Sequence, residues 1–182
     1  TCFIVSSDKD FLQLVTYKII LYRPMEKEYY TPQTVKDKFG VLAQNFILYK
    51  TLLGDNSDNI PGVKGLGAKG IFKKFPELQN KTLTLDDIFD ISAGKFKEHV
   101  VYSRVIQDQN KLENSYKVMD LSSPMINQQQ VDYLEELISE DIPDLNSEMF
   151  IQLYNEDKLG GMIRNLDNWI KENFEHFIGY KN

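Results

Sequence analysis

Residues 54–70 read Gly-Asp-Asn-Ser-Asp-Asn-Ile-Pro-Gly-Val-Lys-Gly-Leu-Gly-Ala-Lys-Gly, and no other stretch restricts the fold as much. Glycines at 62, 65, 67 and 70 would suit a flexible linker, but Val63 and Leu66 are spaced to plug a small core. The pattern predicts a tight hairpin with ordered backbone. Gly54 closes a helix running from about Leu42 to Leu53 upstream of it, and Ile71 to Phe75 continue a short helix that Pro76 ends.

Before this stretch the chain alternates strand and helix signals. Residues 2–6 read as a buried strand, and Ser7-Asp8-Lys9-Asp10 supplies turn and cap chemistry ahead of a short helical pattern at Phe11, Leu12, Leu14 and Val15. Ile19 to Tyr22 and Lys27 to Tyr30 read as two extended pieces paired through a short connection, with Pro24 at the bend. Thr31-Pro32 and Gly40 mark both ends of a short helix. Downstream, periodicity predicts helices at about 85–91, 94–110, 127–139, 147–155 and 162–177, with Gly160-Gly161 between the last two. Strands are therefore expected only before residue 31. The class is α/β: residues 1–56 as the C-terminal part of an α/β core, and 57–182 as a mostly helical domain.

A chain of 182 residues, 42% apolar and 26% charged, can bury one good core or divide it between two lobes. No apolar run approaches the roughly 18 residues of a membrane span. A single cysteine, Cys2, excludes an internal disulfide and reads as a small buried apolar residue in a reducing, cytoplasmic setting. The start lacks the basic and apolar regions of a signal peptide, and its abrupt opening on a strand predicts a fragment. The net charge of −6 is unevenly spread: residues 1–60 are balanced, 61–81 carry five lysines against Glu77, and 82–182 have nineteen acidic against nine basic side chains. A lone lysine cluster is usually a solvated helix face. Here it adjoins the hairpin and two acidic pairs.

Asp8 and Asp10 lie at the C-terminal end of the first strand, where α/β sheets place ligand-binding groups. Asp55 and Asp58 form a second pair just before the hairpin. Taken alone, each pair is a helix cap or an Asx-turn with a solvated acid. Together they are two carboxylate pairs at element boundaries beside a basic, backbone-exposing loop. Metal-dependent phosphodiester cleavage reconciles an acidic site with such a neighbour, because divalent cations must intervene between carboxylates and a nucleic acid. In a helix-hairpin-helix, Gly62, Gly65 and Gly67 would let backbone approach phosphate, while Lys64, Lys69, Lys73 and Lys74 add salt-dependent contacts. No interleaved aromatics suggest base stacking.

At these residues the sequence resembles the structure-specific 5′ nucleases: flap endonucleases, the 5′ nuclease domain of bacterial DNA polymerase I, and bacteriophage ribonuclease H. Residues 6–14, Ser-Ser-Asp-Lys-Asp-Phe-Leu-Gln-Leu, are similar to that family's strand-end acidic motif. Residues 54–69 are similar to its second acidic motif fused to the helix-three-turn-helix DNA clamp, and Tyr102 to Leu121 more loosely resemble the phage ribonuclease H branch.

The resemblance implies two magnesium ions, with manganese an alternative, ligated by Asp8, Asp10 and Asp58, which would be catalytic. Asp55 would act through water or as a nearby base. It further implies that Gly62, Val63, Lys64, Gly65, Leu66 and Gly67, with Lys69, Lys73 and Lys74, bind duplex DNA, with potassium held by hairpin carbonyls. The substrate would be duplex DNA bearing a 5′ flap or RNA primer. Replication proteins such as a single-strand-binding protein or sliding clamp would be partners, and the chain would be a monomer in the cytoplasm, that of the host if phage-encoded. The family's other carboxylates and its basic arch belong to sequence preceding residue 1, which leaves a non-catalytic DNA-binding module as the alternative. Gly70 stands where many relatives have threonine.

The remaining candidates read as structural. His99 and His176 lie on predicted helices without partners at metal-ligand spacing. Trp169 forms a packing stripe with Ile163, Leu166 and Ile170. The acidic run Glu135 to Asp144 reads as a solvated face, with a partner surface as the alternative.

Overall fold

The protein is described by a computed structural model covering residues 1–123, 125–140 and 145–174. The chain divides into two compact units, Thr1–Met125 and Ile126–Asn182. Among the described residues no helix is long and apolar enough to cross a membrane. His176, residues 141–144 of the acidic run and the end of the last expected helix lie outside the described residues.

The first unit begins with a three-stranded sheet in the order β1 (Cys2–Val5), β2 (Ile19–Arg23), β3 (Glu28–Tyr30). β1 and β2 are parallel, with Cys2 opposite Ile19 and Val5 opposite Tyr22. They are joined through a 3-10 helix over Lys9–Leu14, and β3 returns antiparallel after a turn beginning at Pro24. The expectation of a buried first strand fails. Phe3 is 57% and Val5 66% exposed, and Cys2 is exposed too. β1 is an outer strand, paired with β2 alone among the described residues, and of its apolar side chains only Ile4 packs against the core.

Helix α1 (Pro32–Phe39) has the ends its sequence announces. Thr31 Oγ1 accepts from the Thr34 N–H, and Gly40 adopts a left-handed φ of 69°. A 3-10 turn at Ala43–Asn45 leads into α2 (Phe46–Leu53), whose Phe46, Ile47, Leu48 and Leu52 sink into the core while Leu53 stays exposed. β4 (Gly54–Asp55) and β5 (Ile60–Pro61) follow as a two-residue ladder, a strand pair later than the sequence pattern suggests. Next come α3 (Ala68–Lys74), α4 (Leu85–Gly94), α5 (Val100–Gln107) and α6 (Gln109–Met119).

The helix expected over 94–110 does not exist as one piece. His99 has extended backbone (φ −162°, ψ 142°), and its Nδ1 accepts from the Val101 N–H to start α5, while Asp108 separates α5 from α6. Apolar spacing continues across both breaks, so periodicity alone could not locate them. One apolar cluster runs from Leu12 to Leu112 and includes Val63, Leu66, Ile71 and Phe75. The segments before and after residue 56 therefore share a core. Burial of this kind contributes roughly 25 cal/mol per Å².

The second unit contains α7 (Gln128–Ser139), α8 (Ser147–Glu156) and α9 (Leu166–Phe174). Asn127 and Gln130 form a reciprocal capping box at the start of α7. Trp169 stacks on Phe150 at 6.1 Å and meets Phe174 edge-on, so it is a packing residue. Within the acidic run, Glu135, Glu136 and Glu140 are exposed.

Candidate metal centre and adjoining loop

Local capping chemistry sets the first half of the site. Beyond β1 the chain turns so that the Asp8 carboxylate accepts from the Asp10 N–H at 2.8 Å and starts the 3-10 helix. Arg23, at the end of β2 and only 6% exposed, donates from Nη2 to the Ser7 carbonyl at 2.6 Å and pairs with Glu26 at 2.7 Å. A buried guanidinium thus fixes the loop bearing both acids.

The second half hangs from the end of α2. Gly54 leaves the helix with φ 83°, and the β4–β5 ladder folds residues 56–59 back on themselves. Asp55 accepts from the Ser57 N–H at 3.0 Å and from the Ser57 hydroxyl, while Asn59 takes a left-handed φ of 56°.

These two halves bring Asp10, Asp55 and Asp58 together, with one carboxylate oxygen from each within 4.8 Å of the others. Asp8 is outside that trio but lines a cavity of about 470 Å³ with two of its members, Asp10 and Asp55, and with Arg23, Tyr49 and Lys50. Lys50, on the last turn of α2, was not singled out by sequence. Its ammonium pairs with Asp10 and, at 2.7 Å, with Asp55. The available signal was its being the only charge in the helix Phe-Ile-Leu-Tyr-Lys-Thr-Leu-Leu, one helical turn from the second acidic pair.

The charges perturb one another. The hydrogen bond from Lys50, reinforced by Ser57, lowers the Asp55 carboxyl from 3.8 to about 2. Burial pushes the Lys50 ammonium down, but its hydrogen bonds to Asp10 and Asp55 outweigh that, and its pKa is raised. Three carboxylates against one ammonium leave the cluster negative, and an all-oxygen donor set suits a hard divalent cation such as Mg²⁺ or Mn²⁺. The residues present therefore fit a metal.

The glycine-lysine loop adjoins this cluster in sequence. Val63 and Leu66 are buried as their spacing predicts, and the Val63 N–H donates to the Leu52 carbonyl at 2.9 Å, tying the loop to α2. Lys64, Gly65, Gly67, Lys69 and Lys73 are exposed. Lys74 is half-buried, its ammonium 5.7 Å from the centroid of the Tyr102 ring. A Cβ on Gly70 would meet Leu66 Cδ1 at 3.3 Å, so the residue there is packed closely against the plug.

No family model matches the sequence. Among curated proteins it is 33% identical to a 5′-3′ exonuclease of Aquifex aeolicus over 146 residues, covering 79% of this chain and 45% of the relative. It is 39% identical to DNA polymerase I of Bacillus subtilis over 99 residues, covering 52% of this chain and 11% of the relative. The chain thus spans less than half the length of either. Among solved structures, bacteriophage T5 5′-exonuclease with divalent zinc bound superposes with a TM-score of 0.56 at 25% identity, over 65% of this chain and 42% of that one. A 5′-3′ exonuclease and a DNA polymerase I align with this sequence, and a bacteriophage 5′-exonuclease shares its fold: the chain is similar to the 5′ nuclease family.

Proposed function

We propose that the chain contributes the metal-binding and duplex-holding parts of a 5′ to 3′ nuclease that hydrolyses phosphodiesters of RNA primers or 5′ flaps on duplex DNA. The observation that carries this reading is the convergence of Asp10, Asp55 and Asp58 at the foot of the glycine-lysine loop. An acidic trio beside a basic, backbone-exposing loop is the charge pattern that metal-assisted cleavage of a nucleic acid requires.

In this reading Asp8, Asp10, Asp55 and Asp58 hold two divalent ions, Mg²⁺ or Mn²⁺. The chemistry supplied there, when the ions are bound, is stabilisation of charge on the attacking and leaving oxygens of the phosphodiester. Arg23 and the Asp8 cap keep the strand-end loop rigid, and the ladder at Asp55 and Ile60 does the same for the second pair. Residues 57–182 supply the helical DNA-binding part, and its loop and α3 join α2, which precedes it, in a helix-hairpin-helix. Amides of Gly62 to Gly67 approach phosphate, and Lys64, Lys69 and Lys73 add charge, with Lys74 a lesser contributor because it lies over Tyr102.

The test is incubation of the 182-residue chain with a 5′-labelled forked duplex, with and without Mg²⁺, alongside binding in Ca²⁺ at increasing salt. Short 5′ products that require Mg²⁺ and vanish in Asp10→Asn or Asp58→Asn are expected, together with binding that weakens as salt rises. Binding without product would confine this chain to holding the duplex. Absence of salt-dependent binding would overturn the proposal.

A further inference from the structure

Lys50 occupies an unusual place for a lysine. Its side chain is 11% exposed, and it comes from a helix whose neighbouring Thr51 and Leu52 are fully buried. Its ammonium pairs with two of the three carboxylates that converge. We propose that Lys50 is the built-in counter-ion of this cluster, which a divalent cation must displace in order to bind. The inference rests on the metal-binding reading of the site and adds a competitor to it.

The argument is one of shared lone pairs. An ammonium 2.7 Å from Asp55 and also paired with Asp10 uses the carboxylate oxygens that a cation ligated by those residues would use. Divalent ions approach carboxylate oxygen to about 2.0–2.6 Å. Two cations held within a few ångströms repel each other strongly at the low effective dielectric of a half-buried site. Both cannot keep Asp10 and Asp55 at once.

Geometry allows Lys50 to yield. The α2 backbone is pinned by Leu48, Thr51 and Leu52, whereas a flexible four-carbon stem separates Cα from the ammonium. The cavity of about 470 Å³ that Lys50 lines is large enough to accept the displaced group. Lys50 therefore has two positions: against the acids without metal, and in the cavity with it. In the first it neutralises part of a charge cluster that would otherwise repel itself. In the second it adds positive charge where an anionic substrate would enter.

The test is calorimetric titration of the metal-free 182-residue chain with Mn²⁺, comparing wild type with Lys50→Met and with Lys50→Gln, which retains a hydrogen-bonding group without charge. Both variants are expected to bind Mn²⁺ about tenfold more tightly and to melt at lower temperature in EDTA, with Mn²⁺ restoring the loss. Equal or weaker binding than wild type would overturn the inference. Failure of wild type and variants alike to bind would overturn the metal reading and the inference together.

A second measurement needs no variant. In wild type, the Lys50 ammonium should give a protected nitrogen-15 resonance in EDTA that loses protection on adding Ca²⁺. A resonance unchanged while Ca²⁺ binds would overturn the inference by itself.

Discussion

The Arg104 guanidinium on α5 donates from Nη1 to the carbonyl of Lys64 at 2.7 Å, and a Cβ on Gly65 would come within 2.9 Å of the same nitrogen. A helix distant in sequence therefore holds the tip of the glycine-lysine loop. Arg104→Ala should leave the fold intact, speed hydrogen exchange at residues 63–67, and reduce duplex affinity by about fivefold, the worth of roughly one hydrogen bond. Arg104→Lys should recover part of the affinity. Unchanged exchange in the alanine variant would show that the loop is ordered without this bond.

Gly62 and Gly67 sit in the same loop under opposite constraints. A Cβ on Gly62 would lie 2.3 Å from the Leu53 carbonyl carbon and oxygen, whereas one on Gly67 meets nothing within 4 Å. Backbone cannot give way as a side chain can. Gly62→Ala should cost about 3 kcal/mol in urea unfolding, and Gly67→Ala less than about 1 kcal/mol. If loop backbone approaches phosphate, Gly67→Ala should still weaken duplex binding severalfold at nearly native stability. Equal stability of the two variants would mean that the close approach of residues 53 and 62 is not maintained in solution.

Much of this was legible in the sequence because local chemistry dictates it. Thr31, Pro32 and Gly40 write both ends of α1, and Val63 and Leu66 announce an ordered loop. The two acidic pairs were visible as pairs. Their selective convergence was not: Asp8 turns its carboxylate to its own helix while Asp10, three residues into the turn from Ser7, reaches the second pair. Which of two neighbouring acids faces inward depends on a cap geometry that many side chains can satisfy. Lys50 and Arg104 were missed for a related reason, since a single cation on a helix carries no pattern. The exposure of Phe3 and Val5 on β1 is not legible because an apolar run reports what a strand can pack against, and not which of its side chains the fold covers.

The pairing of Lys50 with Asp55 fixes a pH dependence for the metal-free chain. With its carboxyl lowered to about 2 from 3.8, Asp55 contributes stability that is fully present above the unfolded value and is lost as pH falls through the folded one. Asp87, lowered by accepting from the Thr84 backbone and hydroxyl, acts in the same direction at the start of α4. Urea unfolding in EDTA from about pH 6 to about pH 2 should show wild type losing more stability below about pH 4 than Asp55→Asn. Parallel curves for the two proteins would contradict the ion pair.

Asn45 is fully buried and uses both ends of its amide to join the start of α2 to the segment that follows α3. Its nitrogen donates to the carbonyls of Leu78 at 2.9 Å and Lys81 at 2.6 Å, and its oxygen accepts from the Leu83 N–H at 2.9 Å. Asn45→Ala strands a buried donor and frees two carbonyls, and should cost about 3 kcal/mol. Asn45→Asp should be no better near neutral pH, because a carboxylate can accept from Leu83 but cannot donate to either carbonyl. Lowering the pH should narrow the gap between the Asn45→Asp variant and wild type, since a protonated carboxyl regains one donor. If Asn45→Asp is as stable as wild type near neutral pH, water must satisfy the two carbonyls, and the amide is not what locks α2 to the later helices.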